Sequence, residues 1–299
     1  MENKTGVINI RKEKGYTSHD VVAIIRKLTR EKTGHTGTLD PDAMGVLPIC
    51  LGRATKLADY FAASDKTYIA EIILGITTDT GDISGEILTK KEAMVTFEEL
   101  KTIAESFKYE NRGAYLQTPP MYSAIKIGGK KLYELARKGQ TVERPARPVK
   151  VYDIKVSCEN NRFFIETTCS KGTYIRGLCM DIGEALGCGA AMGELTRTRS
   201  GNFLIENSVS LAEVRAATEN SKLDKLILPV DKLLPYPDVF VKPEGIARAL
   251  NGNPLTLELL ESDKSINDNN EKFWLKSSDN RIIGLYSLKN ETFRAEVML

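Results

Sequence analysis

The sequence predicts an α+β protein in which strands and amphipathic helices alternate, followed by a small β-rich unit near the C-terminal end. Residues 148–158 and 162–170 are strand-like and are separated by a short polar turn, so we expect them to pair. Residues 66–75 are rich in β-branched and aromatic side chains, which is typical of another strand. Apolar residues recur at helical spacing after residue 17 and again over residues 175–186, which predicts two amphipathic helices. The 299 residues leave room for about two domains.

The first helix has clear boundary signals. A strand at residues 6–10 precedes it, Thr17 or Ser18 is expected to cap its N-terminal end, and Gly34 is expected to follow its C-terminal end. Three later helices carry similar signals: residues 97–107, residues 131–138 closed by Gly139, and residues 175–186 closed by Gly187.

Composition excludes several classes of protein. The chain has five cysteines without a Cys-x-x-Cys pair and only two histidines, so a zinc site or a His-based catalytic site is not expected. It contains no apolar run of about 18 residues and no Gly-x-x-x-x-Gly-Lys loop. We therefore expect a reduced cytoplasmic protein without a membrane segment, a metal or a cofactor.

Basic residues are concentrated in one part of a chain whose formal charge is only +2. Residues 112–155 contain ten Lys and Arg against three Asp and Glu. Such a run is either a solvated face or a surface that contacts phosphates.

Residues 34–56, GHTGTLDPDAMGVLPICLGRATK, contain more turn-forming residues than ordinary packing requires. The glycines permit turns and close approaches, and Pro41 disfavours a helical conformation at Asp40. Local rules leave two interpretations open. Asp40 either caps a helix that begins at Pro41 or is a carboxylate held in an active-site loop.

This stretch resembles the catalytic motif of the TruB-type tRNA pseudouridine synthases. Two further stretches match the family in order, QTPPMYSAIK (residues 117–126) with the segment up to Gly139, and KGTYIRGL (residues 171–178). The resemblance implies a pseudouridine-synthase-like, mixed but mainly antiparallel sheet flanked by helices. Glu13 departs from the pattern, because the family usually has a proline there, which leaves the turn after Lys12 open.

The resemblance also implies a set of site residues. Asp40 would carry the chemistry, Tyr68 would pack on the target base and take part in proton transfer, and Arg176 would pair with Asp40. A cation in the first turn of a helix gains nothing from the helix dipole, so Arg176 needs such a partner. The expected substrate contacts are His35, Tyr174, Leu195, Lys12 and Lys126. For His35 two interpretations stay open, a wedge that fills the gap left by a flipped base and a turn histidine bonded to nearby backbone.

The resemblance implies tRNA as the partner, bound through its T stem-loop with the uridine at position 55 as target. It implies a monomer without an obligate protein partner. Residues 1–235 would form the catalytic domain, with a thumb-like basic insertion at about residues 120–150, and residues 236–299 a PUA-like RNA-binding domain after a proline-rich linker. In that domain we expect residues 245–250 as part of the β-rich unit, a polar surface loop at residues 261–272 and strands at residues 273–275, 282–288 and 293–299.

Two other functions use the same residues. A glycosidase or nucleoside hydrolase would combine Asp40 with a second carboxylate such as Asp42 or Asp79. A binding module would hold tRNA through residues 126–150, with Asp40 only capping a helix. Loss of function in Asp40→Ala separates an enzyme from the binding module.

Overall fold

The structure is a computed structural model that describes residues 4–123, 125–136, 138–261 and 272–299. Its strands are, in chain order, β1 (Gly6–Lys12), β2 (Thr33–His35), β3 (Met44–Leu51), β4 (Lys66–Leu74), β5 (Ile76–Thr78), β6 (Ile87–Lys90), β7 (Tyr115–Gln117), β8 (Lys126–Ile127), β9 (Lys130–Lys131), β10 (Arg147–Val149), β11 (Val151–Glu159), β12 (Arg162–Cys169), β13 (Ala190–Ser200), β14 (Phe203–Leu204), β15 (Asp238–Phe240), β16 (Leu255–Thr256), β17 (Lys272–Lys276), β18 (Ile282–Lys289) and β19 (Thr292–Met298). Its helices are α1 (Ser18–Thr29), α2 (Ala58–Ala62), α3 (Phe97–Glu105), α4 (Tyr109–Arg112), α5 (Leu132–Ala136), α6 (Ile175–Ala185), α7 (Leu211–Glu219) and α8 (Pro243–Leu250).

The main sheet has eight strands and the order β1-β3-β13-β4-β12-β11, with β2 paired to β3 and β14 paired to β13. Only β3 and β13 run parallel, so the mixed, mainly antiparallel sheet that the sequence predicted is confirmed. Helix α6 packs on β13 and β4, α3 packs on β11, and α1 packs on β2 and α7. Apolar side chains from these helices and from the sheet form the main core.

The hairpin of β11 and β12 confirms the predicted pairing. Asn160 and Asn161 form its turn, and both have positive φ angles of 50° and 60°. Two consecutive residues in this region match the right-handed twist of the flanking strands, and asparagine tolerates the conformation better than most residues.

The boundaries of α1 are confirmed at one end and wrong at the other. The Thr17 hydroxyl accepts a hydrogen bond from the Asp20 N–H, and the Asp20 carboxylate accepts one from the Thr17 N–H, which is a complete capping box. The helix ends at Thr29, because Arg30 adopts a left-handed conformation with φ of 59°. Gly34, which we expected to follow the helix, lies inside β2.

The C-terminal sheet has the order β15-β17-β18-β19-β16, and its last three long strands lie where the sequence predicted them. Residues 245–250 belong to α8 and not to a strand. Pro243 starts this helix at a position where proline is favourable, and Gly245 and Ala249 face inward. The expected polar loop falls largely on residues 262–271, which lie outside the described residues.

Candidate active site

Asp40 lies on the loop between β2 and β3, which we call the Asp40 loop (residues 36–43). The Ala43 N–H donates to the Asp40 carbonyl at 3.1 Å, which closes a turn, and no helix begins at Pro41. The helix-cap interpretation of Asp40 is therefore wrong. Gly45 follows the loop with φ of 103°, and a Cβ there would lie 2.2 Å from the Arg197 carbonyl oxygen. Only glycine allows β3 to approach β13 this closely.

The side chains of Ser18 on α1 and Lys12 on β1 hold the Asp40 loop. The Ser18 hydroxyl donates to the Leu39 carbonyl at 3.0 Å and accepts from the Leu39 N–H at 2.8 Å. Lys12 is fully buried, and its ammonium donates to the Pro41 and Ala43 carbonyls at 2.9 and 2.6 Å. These contacts fix the backbone on both sides of Asp40.

Lys12 was expected to bind substrate, and the structure places it differently. Burial lowers the pKa of its ammonium to about 8. A third bond to the Glu13 carbonyl completes its donors, so the ammonium has no free hydrogen for a phosphate. Lys12 supports the Asp40 loop, and the turn that contains Glu13 in place of the family proline forms around this contact.

Asp40 and Arg176 are in contact. Arg176 Nη2 lies 3.1 Å from Asp40 Oδ2, and Arg176 Nη1 lies 3.3 Å from Asp82 Oδ2. The Arg176 side chain is 7% exposed and the Asp40 side chain is 48% exposed. A buried guanidinium therefore pairs with a carboxylate that is half exposed to solvent. The carbonyls of Thr80 and Tyr122 accept the remaining hydrogen bonds of the guanidinium at 3.1 and 2.7 Å. The arginine is thereby held in one orientation.

Asp82 was not singled out from the sequence. It belongs to a loop that reads locally as a series of turns, where an aspartate is expected to bond to nearby backbone. Its carboxylate does accept from the Ser84 N–H at 3.1 Å, and its second oxygen reaches Arg176. Asp79, the alternative second carboxylate, accepts from the Glu86 N–H at 2.8 Å within the same loop.

Tyr68 lies on β4, opposite Thr167 on one side and Arg197 on the other. Its ring packs against the main core. Burial raises the pKa of its phenol, and the nearby Arg197 charge opposes that shift. Because the ordinary pKa of tyrosine is about 10, the hydroxyl is protonated at neutral pH.

Tyr174 precedes α6, and Gln117 holds its backbone on both sides. The Tyr174 N–H donates to Gln117 Oε1 at 2.8 Å, and Gln117 Nε2 donates to the Tyr174 carbonyl at 2.9 Å. Burial raises the pKa of Tyr174, and the Asp40 charge adds to this shift. Leu195 lies on β13 and is 8% exposed. No local signal predicts the Gln117 contact, because it joins residues 57 positions apart.

His35 lies on β2, and its Nδ1 accepts the Gly37 N–H at 3.3 Å. Its ring meets the ring of His19 edge to face at a centroid distance of 5.5 Å. Burial lowers the pKa of His35, which favours the neutral ring. The backbone bond is the one expected of a turn histidine, and the wedge role stays a prediction.

The basic segment is described in part. Lys126 lies in β8, and its side chain lies outside the described residues. Arg112 lies over the Phe107 ring at 4.5 Å, and Lys150 lies over the Tyr109 ring at the same distance. These two cations therefore contact aromatic rings of the protein itself.

The described residues contain neither a cluster of metal ligands nor a helix that could span a membrane. No three His, Cys, Asp or Glu side chains come together there in a way that could hold a metal ion. None of the helices in that part of the chain has the length and apolar character needed to cross a membrane.

The candidate site is built from four elements, namely the Asp40 loop, the start of α6, β4 and β13. The loop leads into β3, which is followed in the sheet by β13 and β4, and β12 leads into α6. A braced loop supplies the carboxylate, a helix start supplies its arginine, and the adjacent strands supply Tyr68 and Leu195. A carboxylate paired with a buried arginine beside a tyrosine is an arrangement that can support acid–base or nucleophilic chemistry.

The comparisons with known proteins identify the family. The TruB family pseudouridylate synthase N-terminal domain matches residues 26–175, and the tRNA pseudouridylate synthase B C-terminal domain matches residues 176–235. The chain belongs to the TruB family.

Several relatives cover nearly the whole chain. The tRNA pseudouridine synthase B of Clostridium kluyveri is 44% identical over 292 residues, which is 97% of each chain. That of Alkaliphilus oremlandii is 47% identical over 251 residues, which is 83% of this chain and 82% of the relative. Among solved structures, a Cbf5-Nop10-Gar1 complex matches with a TM-score of 0.71 and 29% identity, over 98% of this chain and 84% of that chain.

Proposed function

We propose that this protein is a tRNA pseudouridine synthase that isomerises the T-loop uridine at position 55. The observation that carries the proposal is the contact between Asp40 and Arg176 on a braced loop, in a chain of this family. The names of the relatives support tRNA as the substrate. The position of the target uridine follows from the family resemblance of the three motifs.

The reaction breaks the N1–C1′ bond of uridine, turns the bound uracil and joins C5 to C1′ with loss of the C5 proton. It needs no external electrons and no donated group, so the proposal includes no cofactor. Asp40 either attacks C1′ or removes a sugar proton to give a glycal. Either route requires a carboxylate held in one place, and the contact with Arg176 at 3.1 Å supplies that constraint.

The remaining roles concern how the base is held. We assign stacking on the uracil and a part in proton transfer to Tyr68, and the pocket wall to Tyr174 and Leu195. The base must leave its stack at a cost of about a few kcal/mol. In this proposal His35 fills the gap, after giving up its bond to the Gly37 N–H, and Lys126 contacts the RNA.

The proposed partner is the T stem-loop of tRNA, gripped by the basic segment at residues 112–155. We propose that the protein works as a monomer in the cytoplasm without an obligate protein partner. The solved relative named above was determined as a complex with other proteins. Activity of the purified chain alone on a tRNA transcript tests this part.

The test is tritium release from an unmodified tRNA transcript labelled at uridine C5, with Asp40→Asn beside the wild type. The wild type should release tritium without freeing uracil, and Asp40→Asn should release none while its tRNA affinity stays within about tenfold. Asp42→Asn is the matched variant, because Asp42 is a neighbouring carboxylate without an assigned role. Free uracil together with loss of activity in Asp42→Asn would support the hydrolase. No release despite tight tRNA binding would support the binding module.

We further propose that residues 236–299 form a PUA-like RNA-binding domain. Lys289 and Arg294 are exposed on its sheet, away from its core. Replacing both by glutamate should weaken tRNA binding by about tenfold, because each lost phosphate contact removes counterion release, and should leave kcat at saturating tRNA unchanged. Glu296→Gln on the same strand is the control. Unchanged tRNA affinity in the double variant would contradict the assignment.

A further inference from the structure

Arg197 is a buried cation without an ionic partner in the described part of the chain. It is 2% exposed, and no described carboxylate oxygen lies within 4.0 Å of its guanidinium. Burial lowers the pKa of two other cations, Lys12 and Lys66, and the nearby Arg197 charge adds to this effect. A buried charge in such surroundings is costly unless its hydrogen bonds are satisfied.

The N–H groups of Arg197 donate to backbone carbonyls on both sides of Asp40, the candidate catalytic residue. Nη2 donates to the Gly37 carbonyl at 3.0 Å and Nη1 to the Thr38 carbonyl at 3.5 Å. Nε donates to the Val46 carbonyl at 2.7 Å. The guanidinium thus bridges the beginning of the Asp40 loop and β3, the strand that follows it. Both lie more than 150 positions from Arg197 in the sequence.

Arg197 and Tyr68 are paired across the β4–β13 ladder, so their side chains lie on the same face of the sheet. Arginine has no acceptor, so in this pair only the phenol oxygen can accept. The hydroxyl hydrogen of Tyr68 is then free to point away from Arg197. The Arg197 charge also opposes the effect of burial on the pKa of Tyr68.

We infer that Arg197 is a positioning residue that sets the Asp40 loop and the Tyr68 hydroxyl in one fixed geometry. The inference rests on the proposed function, because it concerns the two groups assigned to the carboxylate chemistry and to proton transfer. The planar fork of arginine serves three backbone carbonyls at once, on the face of the sheet that it shares with Tyr68. Lysine would keep the charge but place it at a single point.

The first test is Arg197→Lys, measured by steady-state tritium release at saturating tRNA and by tRNA binding. We expect kcat to fall about 100-fold, the size of loss that a misplacement of about 1 Å causes. The Kd for tRNA should stay within threefold of the wild type. Arg162→Lys is the matched control, because Arg162 makes two bonds to Glu71 on the same sheet without touching the Asp40 loop. An unchanged kcat in Arg197→Lys would overturn the inference.

The second test separates positioning from a merely structural role. Arg197→Lys is repeated in a Tyr68→Phe background, where there is no hydroxyl to orient. If Arg197 acts partly through Tyr68, its substitution should cost at least threefold less there than in the wild type. Equal losses in the two backgrounds would show that Arg197 does not act through Tyr68 and would overturn the inference.

A third measurement covers the case in which Arg197→Lys fails to fold. In protein labelled with ¹⁵N at arginine, the guanidinium resonances of Arg197 should shift on Tyr68→Phe, which leaves Arg197 in place. Unshifted resonances would contradict the contact. Failure of the proposed function is distinguishable, because the wild type itself would then release no tritium.

Discussion

At the scale of single residues, the candidate site is centred on Arg176, which contacts two carboxylates. Arg176 contacts Asp40, which is half exposed, and Asp82, whose side chain is 18% exposed. Asp82 and the two backbone carbonyls hold the guanidinium from the inner side, so Asp40 meets a cation that is already oriented. In the proposed reaction, such preorganisation would lower the cost of placing the carboxylate against the sugar.

Asp82→Asn should therefore slow the reaction without weakening tRNA binding. The substitution keeps the size of the side chain and removes the charge that orients Arg176, and we expect kcat to fall about tenfold, which is about 1.4 kcal/mol of transition-state stabilisation. Steady-state tritium release with saturating tRNA measures it. Asp79→Asn is the control, because Asp79 bonds within the same loop and has no contact with Arg176 among those described. A wild-type rate for Asp82→Asn would contradict the orienting role.

At the scale of elements, α6 links the site to the core. It carries Arg176 in its first turn, and Leu178 and Ile182 lie in the main core. Gly177 faces Gln117, and a Cβ there would lie 2.9 Å from Gln117 Nε2. The start of the helix is thus positioned both by packing and by the Gln117 bonds to Tyr174.

Asp181, on α6, makes a contribution to the stability of the protein that depends on pH. Burial raises the pKa of the Asp181 carboxyl to about 6, while its ordinary value is 3.8. The folded state therefore binds more protons than the unfolded state between these values. Stability falls as the pH rises from about 4 to about 6, and the full cost is present at pH 7.

Asp181→Asn should remove this cost. We expect the free energy of unfolding at pH 7 to rise by about 2 kcal/mol, and the difference from the wild type to shrink towards pH 4. Urea unfolding at several pH values measures it. Glu219→Gln on α7 is the control, because Glu219 is exposed. A difference that stays constant with pH would contradict the assignment to Asp181.

At the scale of the whole molecule, the two sheets share a core. Trp274, Leu285 and Val297 of the C-terminal sheet pack with Leu57 and Phe61, which follow β3. Trp274 also donates from Nε1 to the Leu234 carbonyl at 3.2 Å.

Polar contacts reinforce this docking. Lys276, with a side chain 5% exposed, contacts Asp231 at 2.7 Å and Asp238 at 2.8 Å. Arg53 and Lys56 donate to the carbonyls of Leu299 and Met298, each at 2.8 Å. The segment that follows β3 is therefore attached to the C-terminal sheet, and we expect the two parts to unfold together.

Trp274→Ala tests this coupling. Removing a fully buried indole should cost about 3–5 kcal/mol, and the loss should appear in a single unfolding transition. Calorimetry measures the unfolding transition, together with circular dichroism at a wavelength where the signal does not come from tryptophan. Leu257→Ala is the control, because Leu257 lies in the same unit and is 42% exposed. Two separate transitions, with the larger one unchanged, would contradict the shared core.

The sequence by itself determined the features that depend on neighbouring residues. The N-cap of α1 at Thr17 or Ser18, the turn at Asn160-Asn161, the apolar spacing of α6 and the strand composition of β4 are local signals, and each was predicted. Asp40, Tyr68 and Arg176 were singled out through motifs, which carry family information that a single segment lacks.

Tertiary structure alone decided the features that join distant residues. Arg197 looks like an ordinary basic residue in the sequence, and Lys12 was predicted as a substrate contact. Only the approach of β13 and β1 to the Asp40 loop makes them its supports. Asp82 and Gln117 acquire their roles across 94 and 57 positions, because their partners lie at the start of α6. The physical reason is that a hydrogen-bond donor or acceptor does not specify its partner. Which groups meet is fixed by how the strands and helices pack.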